Sequence, residues 1–168
     1  MEQCGRKWDA GLIRRFVLYP RVGQMFFGRY DHNLDEKGRV TIPAQYRDML
    51  SSGAYITRGF DNNLIIYRAE DFDSLYHKIK GLSITKPKAR KLARQIFANA
   101  AMLELDKAGR LLIPQFLRDA AKLNKAITIV GIGPYLEIWS AEKWSTQTEE
   151  LENDEERENY YEDLEITF

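Results

Sequence analysis

Sulfur and imidazole are scarce in this chain: of 168 residues, one is cysteine, Cys4, and two are histidine, His32 and His77. A lone thiol excludes an internal disulfide framework, and no Cys/His cluster has metal-ligand spacing, so no metal centre is expected. No run approaches the roughly 18 apolar residues of a membrane span. The N-terminus lacks the apolar core and small-residue cleavage pattern of a signal peptide, which makes the cytoplasm the expected location. Catalytic apparatus is equally thin. Neither histidine stands with a nucleophile at recognisable spacing; His32 reads as a strand or turn residue and His77 as the solvent side of a helix. Gly131-Ile132-Gly133 is followed by Pro134 and lacks the strand–helix setting of a dinucleotide fingerprint. The expectation is a protein that is not an enzyme, with no cofactor and no small-molecule substrate.

What the chain does have is a phrase written twice, LDEKGRVTIP at 34–43 and LDKAGRLLIP at 105–114. The match continues to Arg47-Asp48 against Arg118-Asp119, so that eight of the sixteen positions from Leu34 to Met49 recur between Leu105 and Ala120. Shifted by one residue, Ala54, Gly59, Leu64, Ile66, Ala69 and Glu70 then match Ala126, Gly131, Leu136, Ile138, Ala141 and Glu142. Self-similarity at a fixed period marks a duplicated structural unit. Each copy has about 50 residues, near the lower limit for a self-sufficient core, so each is expected to borrow surface from its twin or from another subunit.

Pattern and punctuation predict strand, turn, strand, short helix, strand, turn, strand in each copy. Strands are expected at 27–34, 40–42, 54–59 and 64–67, then at 102–105, 111–113, 126–130 and 135–139. Pro43 and Pro114 suit the first turn of helices at 44–50 and 115–123. Asp61-Asn62-Asn63 and Gly131–Pro134 read as the two later turns. A linker helix carries Phe72, Leu75, Tyr76 and Ile79 on one face, and another at 88–98 points Leu92 and Ile96 inward. Trp139 and Trp144 are expected to pack the second copy, as Tyr67 and Phe72 pack the first. The chain thus divides into an extension at 1–24, a first unit at 25–73, a basic helical linker at 74–98, a second unit at 99–144 and an acidic tail at 145–168.

Zero net charge conceals polarity along the chain. The five segments 1–24, 25–73, 74–94, 95–144 and 145–168 carry +3, −2, +7, +1 and −9. Neutrality of the whole is therefore poor evidence against an anionic partner, which responds to local fields. The basic linker residues (Lys78, Lys80, Lys86, Lys88, Arg90, Lys91 and Arg94) read either as a solvated helix face or as an adjunct to phosphate binding.

The shared Asp-x-x-Gly-Arg turns admit two readings. In the structural one, Asp35 and Asp106 accept turn N–H groups and pair with Arg39 and Arg110, while Gly38 and Gly109 supply backbone freedom. In the functional one, Arg39 projects from the turn to bind phosphate or pair with guanine in a major groove wide enough for a two-stranded ribbon. The first turn carries Lys37 and is approached through Arg29, Tyr30, Asp31 and His32; the second has Lys107 and Ala108 and an apolar approach. The first copy is accordingly expected to make more nucleic-acid contacts, and the second to contribute more to assembly.

Taken together, MFFGRYDHNLDEKGRVTIPAQYRDML at 25–50 and LELDKAGRLLIPQFLRDAA at 103–121 closely resemble the MraZ family of bacterial transcriptional regulators. The resemblance runs from Met25 to about Trp144; the 24-residue extension precedes the family's usual beginning. It implies a mainly-β fold with short helices, in which two tandem swapped-hairpin units related to the AbrB-type DNA-binding domain form a pseudo-symmetric β-barrel. It further implies a ring-shaped homo-oligomer bound to short direct repeats in double-stranded DNA, repressing the division and cell-wall gene cluster, nucleoid-associated and away from membranes. The family's motif falls on Asp35 and Arg39 and on Asp106 and Arg110. Arg39 and Lys37 would lead the DNA contacts, with Arg29 beside them and Arg110 and Lys107 from the second copy. A non-enzymatic assembly protein and an antitoxin-like, protein-binding regulator are the rival readings.

Overall fold

The computed structural model describes residues 25–83 and 85–152. The 1–24 extension, including Cys4 and Trp8, and the acidic tail beyond 152 lie outside them. Two like series of elements follow one another. The first is β1 (Phe26–Asn33), β2 (Arg39–Thr41), α1 (Ala44–Leu50), β3 (Ala54–Arg58), β4 (Leu64–Arg68) and α2 (Ala69–Lys80). After α3 (Pro87–Phe97) come β5 (Ala101–Leu103), β6 (Arg110–Leu112), α4 (Gln115–Ala120), β7 (Ala126–Gly133), β8 (Tyr135–Ser140) and α5 (Ala141–Glu152). Helices α1 and α4 begin directly after Pro43 and Pro114, whose missing N–H is not needed at a helix start. Glu70 and Asp71 in the first turn of α2, and His77, Lys78 and Lys80 in its last, complement the helix dipole.

The strands do not pair within their own copies alone. They form a six-stranded antiparallel sheet in the order β1-β7-β8-β4-β3-β5 and a separate two-stranded ribbon, β2-β6. Strand β1 of the first copy lies against β7 of the second, and β5 of the second against β3 of the first. Exchange of the copies maps the sheet order onto itself. Val40 faces Leu111 at the centre of the ribbon and Ile65 faces Glu137 within the central β4–β8 pair, each pair being equivalent under the sequence repeat.

One core serves both copies. Val40, Ile42, Leu111 and Ile113 from the ribbon region join Ile56, Leu64, Ile66, Ile129, Leu136 and Ile138 from the sheet, all fully buried. Borrowing is thus reciprocal, as the small size of each copy demands. On the other side of the sheet, Phe72 of α2 stacks on Tyr55 at 4.5 Å and meets Phe97 of α3 edge-on. Thr57 Oγ1 donates to the carbonyl of Ile96 at 2.6 Å, fastening α3 to β3. Trp139 is buried and meets Trp144 edge-on at 5.6 Å.

The mainly-β fold with short helices is as expected; hydrogen bonding joins the described strands into two sheets, with β1 and β5 as the ends of the larger one. Two expectations shift. Strands β1 and β2 share no ladder, so the Asp35–Arg39 turn joins strands of different sheets instead of capping a hairpin. Residues Gly131–Gly133 are strand, leaving Pro134 alone between β7 and β8. The reason is β1: Phe26–Gly28 pairs with Gly133–Gly131, and a Cβ on Gly131 would collide with the backbone of Phe27. Among the described residues no helix is long and apolar enough to cross a membrane.

Candidate functional site

Each Asp-x-x-Gly-Arg turn is closed twice by its own backbone. Asp35 N–H donates to the Arg39 carbonyl and Gly38 N–H to that of Asp35, both at 2.9 Å; Asp106, Arg110 and Gly109 repeat both bonds at the same distances. Such a turn forces its fourth residue into the left-handed region, and φ is +78° at Gly38 and +72° at Gly109.

The carboxylates fix the rest. Asp35 Oδ1 accepts the N–H groups of Lys37 and Arg39 at 3.0 and 2.9 Å, while Oδ2 accepts Arg39 Nε at 2.7 Å. Asp106 Oδ1 likewise accepts Ala108 and Arg110 N–H, and its Oδ2 takes Arg110 Nε at 2.8 Å and Nη2 at 2.7 Å. Because β2 and β6 are antiparallel neighbours, the two turns also meet. Arg39 Nη1 lies 3.8 Å from Asp106 Oδ2, and Arg110 Nη1 lies 3.8 Å from Asp35 Oδ2. Two carboxylates and two guanidiniums thus form one closed, neutral quartet about the pseudo-twofold axis.

The quartet stabilises its own charged state. The Arg110 side chain, followed by its backbone N–H, lowers the Asp106 pKa to about 2. The Arg39 backbone N–H is the leading cause that lowers Asp35. Hydrogen bonding to Asp106 in turn raises Arg110. Hydrogen bonds to an ionised carboxylate favour that form, so both acids stay charged under all but strongly acidic conditions.

Around this centre the other sequence-chosen residues divide. Lys37 and Lys107 are exposed at the two turns. Arg29 lies on β1 and pairs with Asp31 at 3.4 Å, its side chain half exposed. Asp31 also accepts Thr128 Oγ1 at 2.9 Å, and that bond is the leading cause lowering its pKa. His32 is a half-buried residue of β1; His77 is exposed on α2, 3.5 Å from Asp73. Arg39 and Arg110 are held at the quartet and are about one-third exposed.

Two residues belong to the site that turn chemistry alone did not single out. Arg118 of α4 covers Gly38, where a Cβ would lie 2.7 Å from its Nε; Arg47 of α1 covers Gly109, where a Cβ would lie 2.7 Å from its Cδ. Each glycine is therefore favoured by its φ, and an arginine of the opposite copy occupies the space a side chain there would take. Backbone bonds reinforce the crossing, Ile42 N–H donating to the Gly109 carbonyl and Ile113 N–H to that of Gly38, both at 3.0 Å. Arg47 Nε donates to the Ile42 carbonyl at 3.0 Å, whereas Arg118 Nε is buried without a partner. The signal was in the repeat itself: Arg47-Asp48 and Arg118-Asp119 recur outside any apolar pattern. Among the described residues no three of His, Cys, Asp and Glu group so as to hold a metal ion.

Comparison with known proteins agrees with this duplicated geometry. Two successive segments, residues 25–95 and 96–164, match the family described as "MraZ protein, putative antitoxin-like". A protein of Herpetosiphon aurantiacus named "Transcriptional regulator MraZ" is 46% identical over 122 residues, 73% of this chain and 85% of the relative. Relatives of the same name from Thermomicrobium roseum and Carboxydothermus hydrogenoformans are 42% and 45% identical, over 76% and 72% of this chain and 89% and 85% of theirs. With both copies matched and the relatives covered over most of their length, this chain belongs to the MraZ family.

Proposed function

We propose that this protein is a sequence-specific, DNA-binding transcriptional regulator that acts by occupancy, with no chemical step. One observation carries the reading: the paired turns set Lys37 and Lys107 outward beside a ribbon whose arginines are already oriented. Arginines fixed by carboxylates lose little side-chain entropy on meeting a phosphate or a guanine edge. Arg39 and Lys37 lead the contact, Arg29 extends it along β1, and Arg110 and Lys107 serve the second turn. Asp35, Gly38, Asp106 and Gly109 keep these groups in place.

The names of the relatives support the general role. At the finer level the protein represses the bacterial division and cell-wall gene cluster through short direct repeats in double-stranded DNA. It works as a ring-shaped homo-oligomer in the cytoplasm, associated with the nucleoid. Several copies on one duplex would add modest contacts through multivalency. The functional units are residues 25–73 and 99–144. The six-stranded sheet and the ribbon are read as the walls of one pseudo-symmetric barrel around their shared core.

Selection from a random duplex library by the intact protein, repeated with Arg39→Ala, tests the reading. Short, regularly spaced sites should be enriched, affinity should fall as salt rises, and the variant should bind weakly while assembling normally. Absence of enrichment throughout a low-salt series would overturn it.

A further inference from the structure

We propose that the groove between α2 and α3 is a docking site for the acidic segment of this same chain, residues 153–168. The groove holds about 400 Å3, with Ile79 and Phe97 in its lining. Tyr76 and Leu82 also line it and remain 42% and 46% exposed, a large apolar surface for the side of a helical hairpin. Lys80 and Arg94 stand at its rim, and Lys80 Nζ lies 5.7 Å from the centre of the Tyr76 ring.

The occupant must satisfy two demands at once, covering apolar side chains and answering positive charge. Residues 74–94 carry seven bases and no acid. Residues 153–168 carry seven acids and one base, interleaved with Tyr160, Tyr161, Leu164, Ile166 and Phe168. The spacing Tyr161, Leu164, Phe168 sets three of these on one stripe if the segment is helical, with Glu158, Glu162, Asp163 and Glu165 nearby in sequence. A phosphate backbone answers the charge but brings nothing to cover Tyr76 and Leu82. The same face of a second copy brings apolar groups but sets like charges together. The acidic segment supplies both requirements, and its charge nearly balances that of the linker.

A carbodiimide, which joins carboxylates directly to lysine amines, provides the test on the full chain, with the products mapped by mass spectrometry. At about 0.1 M salt, carboxylates between Asp154 and Glu165 should be joined to Lys80, and the yield should fall about tenfold at about 1 M, where charge attraction is screened within ~3 Å. Arg94→Glu should lower the yield through charge. Leu82→Asp should lower it by spoiling the apolar floor while leaving every base in place, with circular dichroism showing that both variants keep the fold. Lys80 joined only to carboxylates in the folded body, of its own or an isotopically marked second copy, would overturn the proposal in favour of a copy-to-copy contact. A yield indifferent to Leu82→Asp would overturn it too, reducing the attraction to charge without a site.

Discussion

Arg118 lies over Gly38, a residue of the other copy, so closely that a Cβ there would stand 2.7 Å from its Nε. Gly38→Ala should therefore destabilise on two counts. The left-handed φ of +78° costs an alanine about 1–2 kcal/mol, and the methyl must displace the guanidinium. In urea unfolding, Gly38→Ala combined with Arg118→Ala should lose less stability than the two single losses added together. Simple additivity would mean that the arginine yields freely and the φ is the whole effect.

Acid should act through the quartet. Asp106 has its pKa lowered to about 2 from 3.8, and Asp35 is lowered as well. A carboxylate depressed in the folded state contributes stability that is complete above its unfolded pKa and is lost as pH falls toward the folded value. The urea midpoint should thus drop between about pH 4 and 2, and Asp106→Asn should flatten that drop while lowering the midpoint at neutral pH. A midpoint whose acid dependence is the same in the variant and the parent would show that the turn carboxylates do not govern it.

The edge of β1 offers a packing test. Phe26 is fully buried and meets Tyr46 edge-on at 5.2 Å, while the Tyr46 hydroxyl accepts Phe27 N–H at 3.1 Å and donates to the Phe27 carbonyl. Phe26→Ala should cost about 3–5 kcal/mol. Tyr46→Phe keeps the ring and should cost about 1–3 kcal/mol through the Phe27 N–H that loses its acceptor, the Phe27 carbonyl keeping the Tyr30 hydroxyl as a donor. Guanidinium denaturation, followed by tryptophan fluorescence, separates the two.

DNA binding should distinguish lysine from arginine at the turns. Lys37 is exposed, whereas Arg39 is engaged by Asp35 at 2.7 Å. Lys37→Ala should weaken binding nearly equally on all sequences and reduce the salt slope by about one. Arg39→Ala should cost more on the selected site than on random DNA. If Arg110→Ala alone abolished binding by a still-assembled protein, the expected division of labour between the copies would be wrong.

Much of this architecture was legible because local physics announces itself locally. Pro43 and Pro114 placed the starts of α1 and α4, and alternating apolar residues bounded by glycine and asparagine placed seven of the eight strands within a residue or two, β7 running three residues past its expected end. Partner choice was not legible. Nothing in Phe26–Asn33 says that it should lie against Ala126–Gly133 instead of β2, since propensity describes a strand and not its neighbour. The Gly131–Gly133 misreading has the same origin: glycine there answers a backbone arriving from 100 residues away. For the site, the Asp–Arg pairing within each turn followed from spacing, but closure into a quartet depends on the β2–β6 register. Arg47 and Arg118 were visible as repeated letters, and only the fold supplied their role.

The near-twofold arrangement is imperfect where it reaches solvent. Leu112 and Phe116 stand 54% and 50% exposed on the second side, where the first has Thr41 and Gln45. A dimer of identical chains would have to repeat every surface change on both sides of its axis and could not tell one end from the other. Fusing the two copies in one polypeptide removes that constraint. The molecule has a front and a back, which is the asymmetry required of any subunit that joins its neighbours head to tail.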